Sequence, residues 1–298
     1  MKTSEPGSQS DGEVLADLLS LMRLERLEDN LFRGQSRDIG SPRVFGGQVL
    51  GQALAAAGQT VTGRAAHSLH AYFLRAGDVE SPIVYEVDRS RDGRSFTSRR
   101  VVAIQHGRPI LNLAASFQLE EDGLDHQAEM PRVPGPESLA DSRHYKREVV
   151  SKVPEKMRRY LTTRRPFEFR HVEPPDLLAP RKRPAEQFIW FRALGELSQD
   201  PELHKVLLAY VSDYNLIGTA TLPHGISFLQ GNVQMASLDH AMWFHRQARL
   251  DQWLLYALDS PSASGARGLA RGRIFTADGL LVASTAQEGL IRLWPGDG

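Results

Sequence analysis

The 298-residue chain exceeds the usual size of one hydrophobic core and predicts two domains, while 41% hydrophobic and 24% charged residues exclude disordered and fibrous classes. Lysine plus arginine equals aspartate plus glutamate at 36 each, so no global field draws the chain to nucleic acid or an anionic membrane, and any anion site must be local. Cysteine is absent, which removes disulfides, thiolate metal sites and a cysteine nucleophile.

Met1 to Gly12 is polar and lacks the apolar stretch of a signal peptide, and no apolar run approaches the ~18 residues of a membrane span. A cytoplasmic protein without stable membrane insertion is expected. The closing residues Trp294-Pro295-Gly296-Asp297-Gly298 do not form a peroxisomal address. Residues 1 to 11 read as a disordered tail, followed by an amphipathic helix on Val14, Leu15, Leu18, Leu19 and Met22.

From Phe32 to Gln118 the chain reads as one unit. The segment Phe45 to Ala57 is small or apolar nearly all round apart from Gln48 and Gln52, which predicts a buried helix with a sheet wrapped about it. Strand-like stretches follow at Ser68–Leu74, Pro82–Val87, Phe96–Gln105 and Ile110–Gln118, separated by turns such as Arg91-Asp92-Gly93. A proline- and charge-rich stretch, Glu120 to Pro166, reads as a partly helical linker. The order then repeats: a strand at Gln187–Ala193, a helix from about Pro201, and strand-like stretches Val233–Phe244, Trp253–Leu258, Gly268–Phe275 and Leu280–Arg292. His70 and Gln118 are separated by 48 residues, His240 and Gln287 by 47, which predicts two fused copies of one α+β unit. The predicted division is a tail and helix over 1–24, an N-terminal domain over 25–122, a linker over 123–165 and a C-terminal domain over 166–298.

Leu203, Val206, Leu207, Tyr210, Val211 and Tyr214 form the apolar stripe of the second helix. Asp213 falls about 20° from Val206, at the border of that stripe, where a carboxylate is costly unless hydrogen-bonded or used. Taken alone it reads as a satisfied structural aspartate. Ser237 and Gln287 are ordinary residues except that both lie in apolar runs that draw them inward. Gly46 and Gly47, with Gln48, open a helix and would present backbone N–H groups to an anion or oxyanion, although paired glycines usually reflect packing. No glycine-flanked serine has the second glycine of a nucleophile elbow. The pairs His67/His70 and His240/His245 are spaced for opposite faces of a strand and read as core or surface histidines rather than a metal site. Arginine clusters such as Arg164-Arg165 and Arg181-Lys182-Arg183 read as solvated faces that would also suit phosphate.

Several segments together resemble the acyl-CoA thioesterase II family: Phe32-Arg33-Gly34-Gln35-Ser36, Val44 to Ala53, His67 to Arg75, Leu238 to Arg246, and Ala283 to Gly289. The resemblance runs in order over roughly residues 12 to 293. It implies a double-hotdog fold, two central helices each wrapped by a curved antiparallel sheet, and hydrolysis of acyl-CoA without metal, other cofactor or covalent intermediate. It places Asp213, Ser237 and Gln287 on the family's catalytic aspartate, hydroxyl and glutamine, with Gly46, Gly47, Gln48 and His67 as weaker candidates for oxyanion or substrate contacts. The implied partners are the acyl-CoA substrate and, by analogy, further copies of the chain in a homo-oligomer. Two other readings stay open: an enoyl-CoA hydratase on the same fold, which would want a histidine near Asp213, and a non-catalytic acyl-CoA binding module.

Overall fold

The computed structural model describes residues 10–153 and 155–294. The expected disordered tail is outside them except at Ser10 and Asp11, which are ordered. Ser10 caps the first helix: its Oγ accepts from the Glu13 N–H at 3.2 Å, and the Glu13 carboxylate accepts from the Ser10 N–H at 2.6 Å.

The first half comprises helix α1 (Asp11–Met22), a short pair β1 (Glu25–Glu28) and β2 (Leu31–Gly34), helix α2 (Gly46–Gly58), and the strands β3 (Ala65–Phe73), β4 (Ile83–Asp92), β5 (Phe96–Gln105) and β6 (Arg108–Gln118). The proline-rich connection is structured, with α3 (Ser142–Val149) and α4 (Glu155–Thr162). The second half comprises β7 (Phe167–His171), β8 (Glu186–Ala193), helix α5 (Pro201–Ser212), a 3-10 segment Ile217–His224, and β9 (Val233–Ser237), β10 (Asp239–Phe244), β11 (Leu254–Ser264), β12 (Arg267–Thr276) and β13 (Leu281–Leu293). All strands join one antiparallel sheet in the order β1-β2-β4-β5-β6-β3-β10-β13-β12-β11-β8-β7, with β9 also pairing β13. Two half-sheets therefore meet at the β3–β10 seam, and α2 and α5 pack on each other inside.

The seam pairs Leu69 with Met242, His70 with Ala241 and Ala71 with His240. Leu69, Ala71, His240 and Met242 face the core, while His70 is exposed. The repeat is thus real as a fold but the matched histidines are not equivalent, because their sequence alignment is out of step with the pleat and a one-residue slip changes the face. Gln118 and Gln287 differ likewise: Gln118 reaches the Glu121 carboxylate at 3.0 Å, whereas Gln287 is fully buried.

The small residues of α2 let the helices approach closely. A Cβ on Gly47 would lie 2.1 Å from the Tyr210 carbonyl oxygen, and one on Gly51 3.1 Å from the Val206 oxygen. Only glycine fits the first contact. Gln52, fully buried, satisfies its amide by donating to Leu21 O (2.7 Å) and Gln35 O (3.0 Å) while accepting from the Tyr85 hydroxyl (2.6 Å). The two helices end differently: α2 closes on Gln59, whose side chain is exposed, and α5 closes on Asp213. They also begin differently, α2 with the open glycines Gly46 and Gly47 and α5 with Pro201, which has no N–H, after the capping carboxylate of Asp200.

Candidate active site

Asp213 sits at the C-terminal end of α5, where the stripe of that helix meets the first turn of α2. The Gly47 N–H donates to its Oδ2 at 2.9 Å and the Gln287 Nε2 to its Oδ1 at 2.7 Å. The Ser237 hydroxyl adds a weaker hydrogen-bonding pull on the same carboxylate. Burial raises the Asp213 pKa above the usual aspartate value, and the bonds from Gln287, Gly47 and Ser237 act against that rise. The N-terminal dipole of α2 has the sign that favours an anion here. Gly46 is also close to the carboxylate, since a Cβ there would lie 2.7 Å from Asp213 Oδ2. The carboxylate is thereby shared between the halves: α5 supplies it and the backbone of α2 holds it.

A break in the sheet brings in the other two groups. The stretch expected as one strand over Val233–Phe244 is two, β9 and β10, interrupted at Leu238. Leu238 N donates to Glu288 O at 2.9 Å, Leu238 O accepts from Phe73 N at 2.9 Å, and Asp239 Oδ1 accepts from Glu288 N at 2.7 Å. These bonds fix the point where β13 changes partner, from β10 up to Ala286 to β9 from Gly289 onward. Ser237 ends β9 and Gln287 lies in the changeover. Because the Gln287 amide nitrogen must face the carboxylate, its Oε1 is fixed on the other side, where it is buried and has no hydrogen-bond partner among the described residues.

The structure thus brings Asp213, Ser237, Gln287, Gly46 and Gly47 together. Gln48 spends its amide on the loop before α2, donating to Gln35 O and accepting from Arg37 N, each at 3.2 Å. His67 contacts Ser116 Oγ at 2.8 Å on the β3–β6 pair rather than this cluster. The remaining motif histidines also lie elsewhere: His245 meets Ser284 Oγ at 2.8 Å, His240 meets Ser212 Oγ at 3.0 Å, and the exposed His70 packs edge-on to Trp243 with ring centroids 5.2 Å apart. Burial pushes the His240 pKa down to about 3, so it stays neutral behind α5. Among the described residues no group of three or more His, Cys, Asp or Glu side chains could hold a metal ion.

Sequence reasoning missed Tyr256, whose hydroxyl donates to Ser212 O at 2.9 Å and meets Thr285 Oγ1 at 2.8 Å, bracing the end of α5 against β13. It also missed Asn215, which takes a left-handed turn (φ 64°) two residues after Asp213 and swings the chain away from the helix. Asparagine tolerates that conformation, and this was the available signal. Asp213 opens onto a cavity of about 730 Å³ whose walls include Phe45, Phe169, Tyr214, Ile217 and Met235, a size typical of small-molecule sites. Residues of α3 and α4, among them Lys146, Met157 and Leu161, form part of the wall, so the connecting segment helps build the site.

Residues 33–118 match the family model described as acyl-CoA thioesterase N-terminal domain, and residues 162–290 match the one described as acyl-CoA thioesterase. An acyl-CoA thioesterase 2 of Haemophilus influenzae is 45% identical over 281 residues, spanning 94% of this chain and 98% of that protein. The chain belongs to the acyl-CoA thioesterase family. Within that family, the crystal structure of an acyl-CoA thioesterase II from Mycobacterium marinum superposes with a TM-score of 0.76 at 43% identity, covering 94% of this chain and 99% of that one. A hot dog fold protein from Alicyclobacillus acidocaldarius, only 18% identical, reaches a TM-score of 0.74 over 94% of this chain and 99% of that one. The fold of this acyl-CoA thioesterase family member is the α+β double hotdog. Among its described residues no helix is long and apolar enough to cross a membrane.

Proposed function

We propose that this chain hydrolyses acyl-CoA to a free carboxylic acid and coenzyme A, with Asp213 as general base. The observation that carries the reading is the partly buried carboxylate of raised pKa, held by the Gly47 N–H and the Gln287 amide, in the wall of a cavity sized for an acyl group. A carboxylate with raised pKa is a stronger base than an ordinary one, which suits it to take a proton from water. The Gln287 amide, by donating to Asp213 Oδ1, holds the carboxylate in line with the thioester carbonyl, and the Ser237 hydroxyl is a second positioning contact.

In this scheme the water oxygen bonds to the thioester carbon as its proton passes to Asp213. The charge that develops on the carbonyl oxygen calls for a hydrogen-bond donor, and a helix N-terminus is a natural source. The Gly47 N–H is committed to Asp213, which leaves the Gly46 N–H as the candidate at the start of α2. Collapse of the tetrahedral intermediate breaks the C–S bond and releases coenzyme A as a thiolate. This leaving group is good enough that no strong general acid is needed. The same reading carries a cytoplasmic location and assembly into a homo-oligomer through the outer sheet face, where Tyr72 and Trp243 are exposed beside the seam.

The direct test is thiol release from acyl-CoA by the purified protein, with and without EDTA. Turnover unaffected by chelator is expected. Loss of activity in EDTA that a divalent metal restores would sink the carboxylate mechanism, and tight acyl-CoA binding with no thiol released would favour a binding module. The hydroxyl is tested separately: Ser237→Thr should keep substantial activity, whereas Ser237→Ala should lose roughly tenfold or more, the scale of one lost hydrogen bond in a transition state. An acyl adduct on Ser237 trapped by mass spectrometry during turnover would rule out a water-positioning role.

A further inference from the structure

The cavity that opens from Asp213 is not uniformly apolar. Where α3, β7 and the loop over residues 174–183 form its wall, it is lined by Tyr145, Lys146, His171 and Arg183, and Arg165 also lines it. Arg165 is accounted for by the fold: it donates to Ile39 O at 2.5 Å and Tyr160 O at 3.0 Å and lies over the Tyr160 ring at 4.7 Å. Lys146 is not. Among the described residues it has no hydrogen-bond or ion-pair partner, and burial together with the neighbouring Arg165 pulls its pKa down to about 8, with Asp141 opposing. His171 is buried with its Nδ1 unpaired. Burial, then Lys146 and Arg183, lower its pKa to about 3, so it is a neutral imidazole with one N–H to give. Among the described residues the Arg183 guanidinium reaches only the exposed Glu173, at 3.7 Å.

Two carboxylates also line this cavity. Asp213 belongs to the cluster described above, and Asp176 accepts from the Leu178 and Ala179 N–H groups at 3.1 and 2.9 Å. Like charges gathered in a partly desolvated cavity with spare donors are unfavourable until an anion joins them. We propose that Lys146, His171 and Arg183 form an anion-binding subsite of the cavity, taking a carboxylate or phosphate oxygen that the substrate carries away from its thioester; the assignment rests on the thioesterase reading above. Two groups of an acyl-CoA meet that description: a carboxylate at the far end of a dicarboxylic acyl chain, and a phosphate of coenzyme A. The apolar wall supplied by Met157, Leu161, Ile217 and Phe228 leaves room for an alkyl chain beside the charged groups.

Calorimetric binding to the Asp213→Asn protein separates recognition from turnover. The probes are dodecanedioyl-CoA, lauroyl-CoA and lauroyl-pantetheine, the last lacking the nucleotide phosphates. Adding Lys146→Met should weaken at least one coenzyme A ester by roughly 10- to 100-fold, the scale of a lost hydrogen bond between charged groups. The thermal midpoint should hold or rise, because the repulsion with Arg165 is removed. A loss confined to dodecanedioyl-CoA assigns the carboxylate. An equal loss for both coenzyme A esters, with lauroyl-pantetheine keeping its affinity, assigns the phosphate. Unchanged affinity for all three probes in both Lys146→Met and Arg183→Gln overturns the proposal, and so does an equal loss for all three, which would mark a packing effect. Failure of the thioesterase reading itself would appear elsewhere, as an absence of thiol release by the unmutated protein.

Discussion

Asp213→Asn should lower kcat by about 10²- to 10⁴-fold, the usual contribution of a positioned general base, while the protein stays folded. The local bonds survive the exchange. The asparagine Oδ1 can still accept from the Gly47 N–H, and its Nδ2 can donate to Gln287 once that amide turns to present its Oε1, at present unpaired. What is lost is the capacity to take a proton. Stability should move in the opposite sense from activity. Because the folded state raises the Asp213 pKa, ionisation is disfavoured on folding. The cost is absent below the unfolded pKa and grows as pH rises through the folded one. The variant escapes it, so its thermal midpoint should match or exceed that of the parent at neutral pH and lose the advantage in acid. Turnover and midpoint measured on one preparation decide the matter: a drop of many degrees with near-normal kcat would make Asp213 a structural residue.

Gly47→Ala should produce the larger loss of stability. The added carbon would stand 2.1 Å from the Tyr210 carbonyl oxygen and 2.5 Å from Phe45 Cε1. A ring can rotate, but a carbonyl inside α5 cannot, so the two central helices must part. Overpacking of a well-filled core typically costs about 1–3 kcal/mol, and contact with a rigid backbone belongs at or above the upper end. For a chain of this size that is a fall in thermal midpoint on the order of 10 °C. Gly58→Ala is the control, since nothing lies within 4 Å of a Cβ placed there. If Gly47→Ala melts with its parent, the close approach of α2 and α5 is not essential.

Much of this architecture was legible before any coordinates. The glycine- and alanine-rich run over Phe45–Ala57 announced a helix buried on all sides, and β5, β6 and β12 alternate along most of their length as their sequences do, whereas the first five residues of β11 are buried on both faces. Asp213 was visible as a carboxylate on the edge of an apolar stripe, but its partner Gly47 lies 166 residues away, a distance no local pattern bridges. The break at Leu238 was hidden for the same reason, because both β9 and β10 are strand-like and only their shared partner β13 reveals the change. The short strands β1 and β2 have too few residues for a period to show, and β1 is exposed throughout. Lys146 and His171 were illegible as a pair. One sits in a stretch that composition marks as a linker and the other on a five-residue strand, and only the folded connection sets them on one cavity.

With Asp213 as the general base proposed above, the unlike ends of α2 and α5 leave one catalytic centre per chain. A duplicated fold offers two pseudo-equivalent corners, each made by the end of one central helix against the beginning of the other. At one corner a carboxylate meets two open glycines; at the other the exposed amide of Gln59 stands where Asp213 would, and Pro201 has no N–H to offer. Fusion has therefore divided the labour, and an active-site titration should count one equivalent per chain, with no second population and no half-of-sites behaviour within the monomer. The corner without chemistry is free of catalytic constraint, so its residues answer only to packing and solvation.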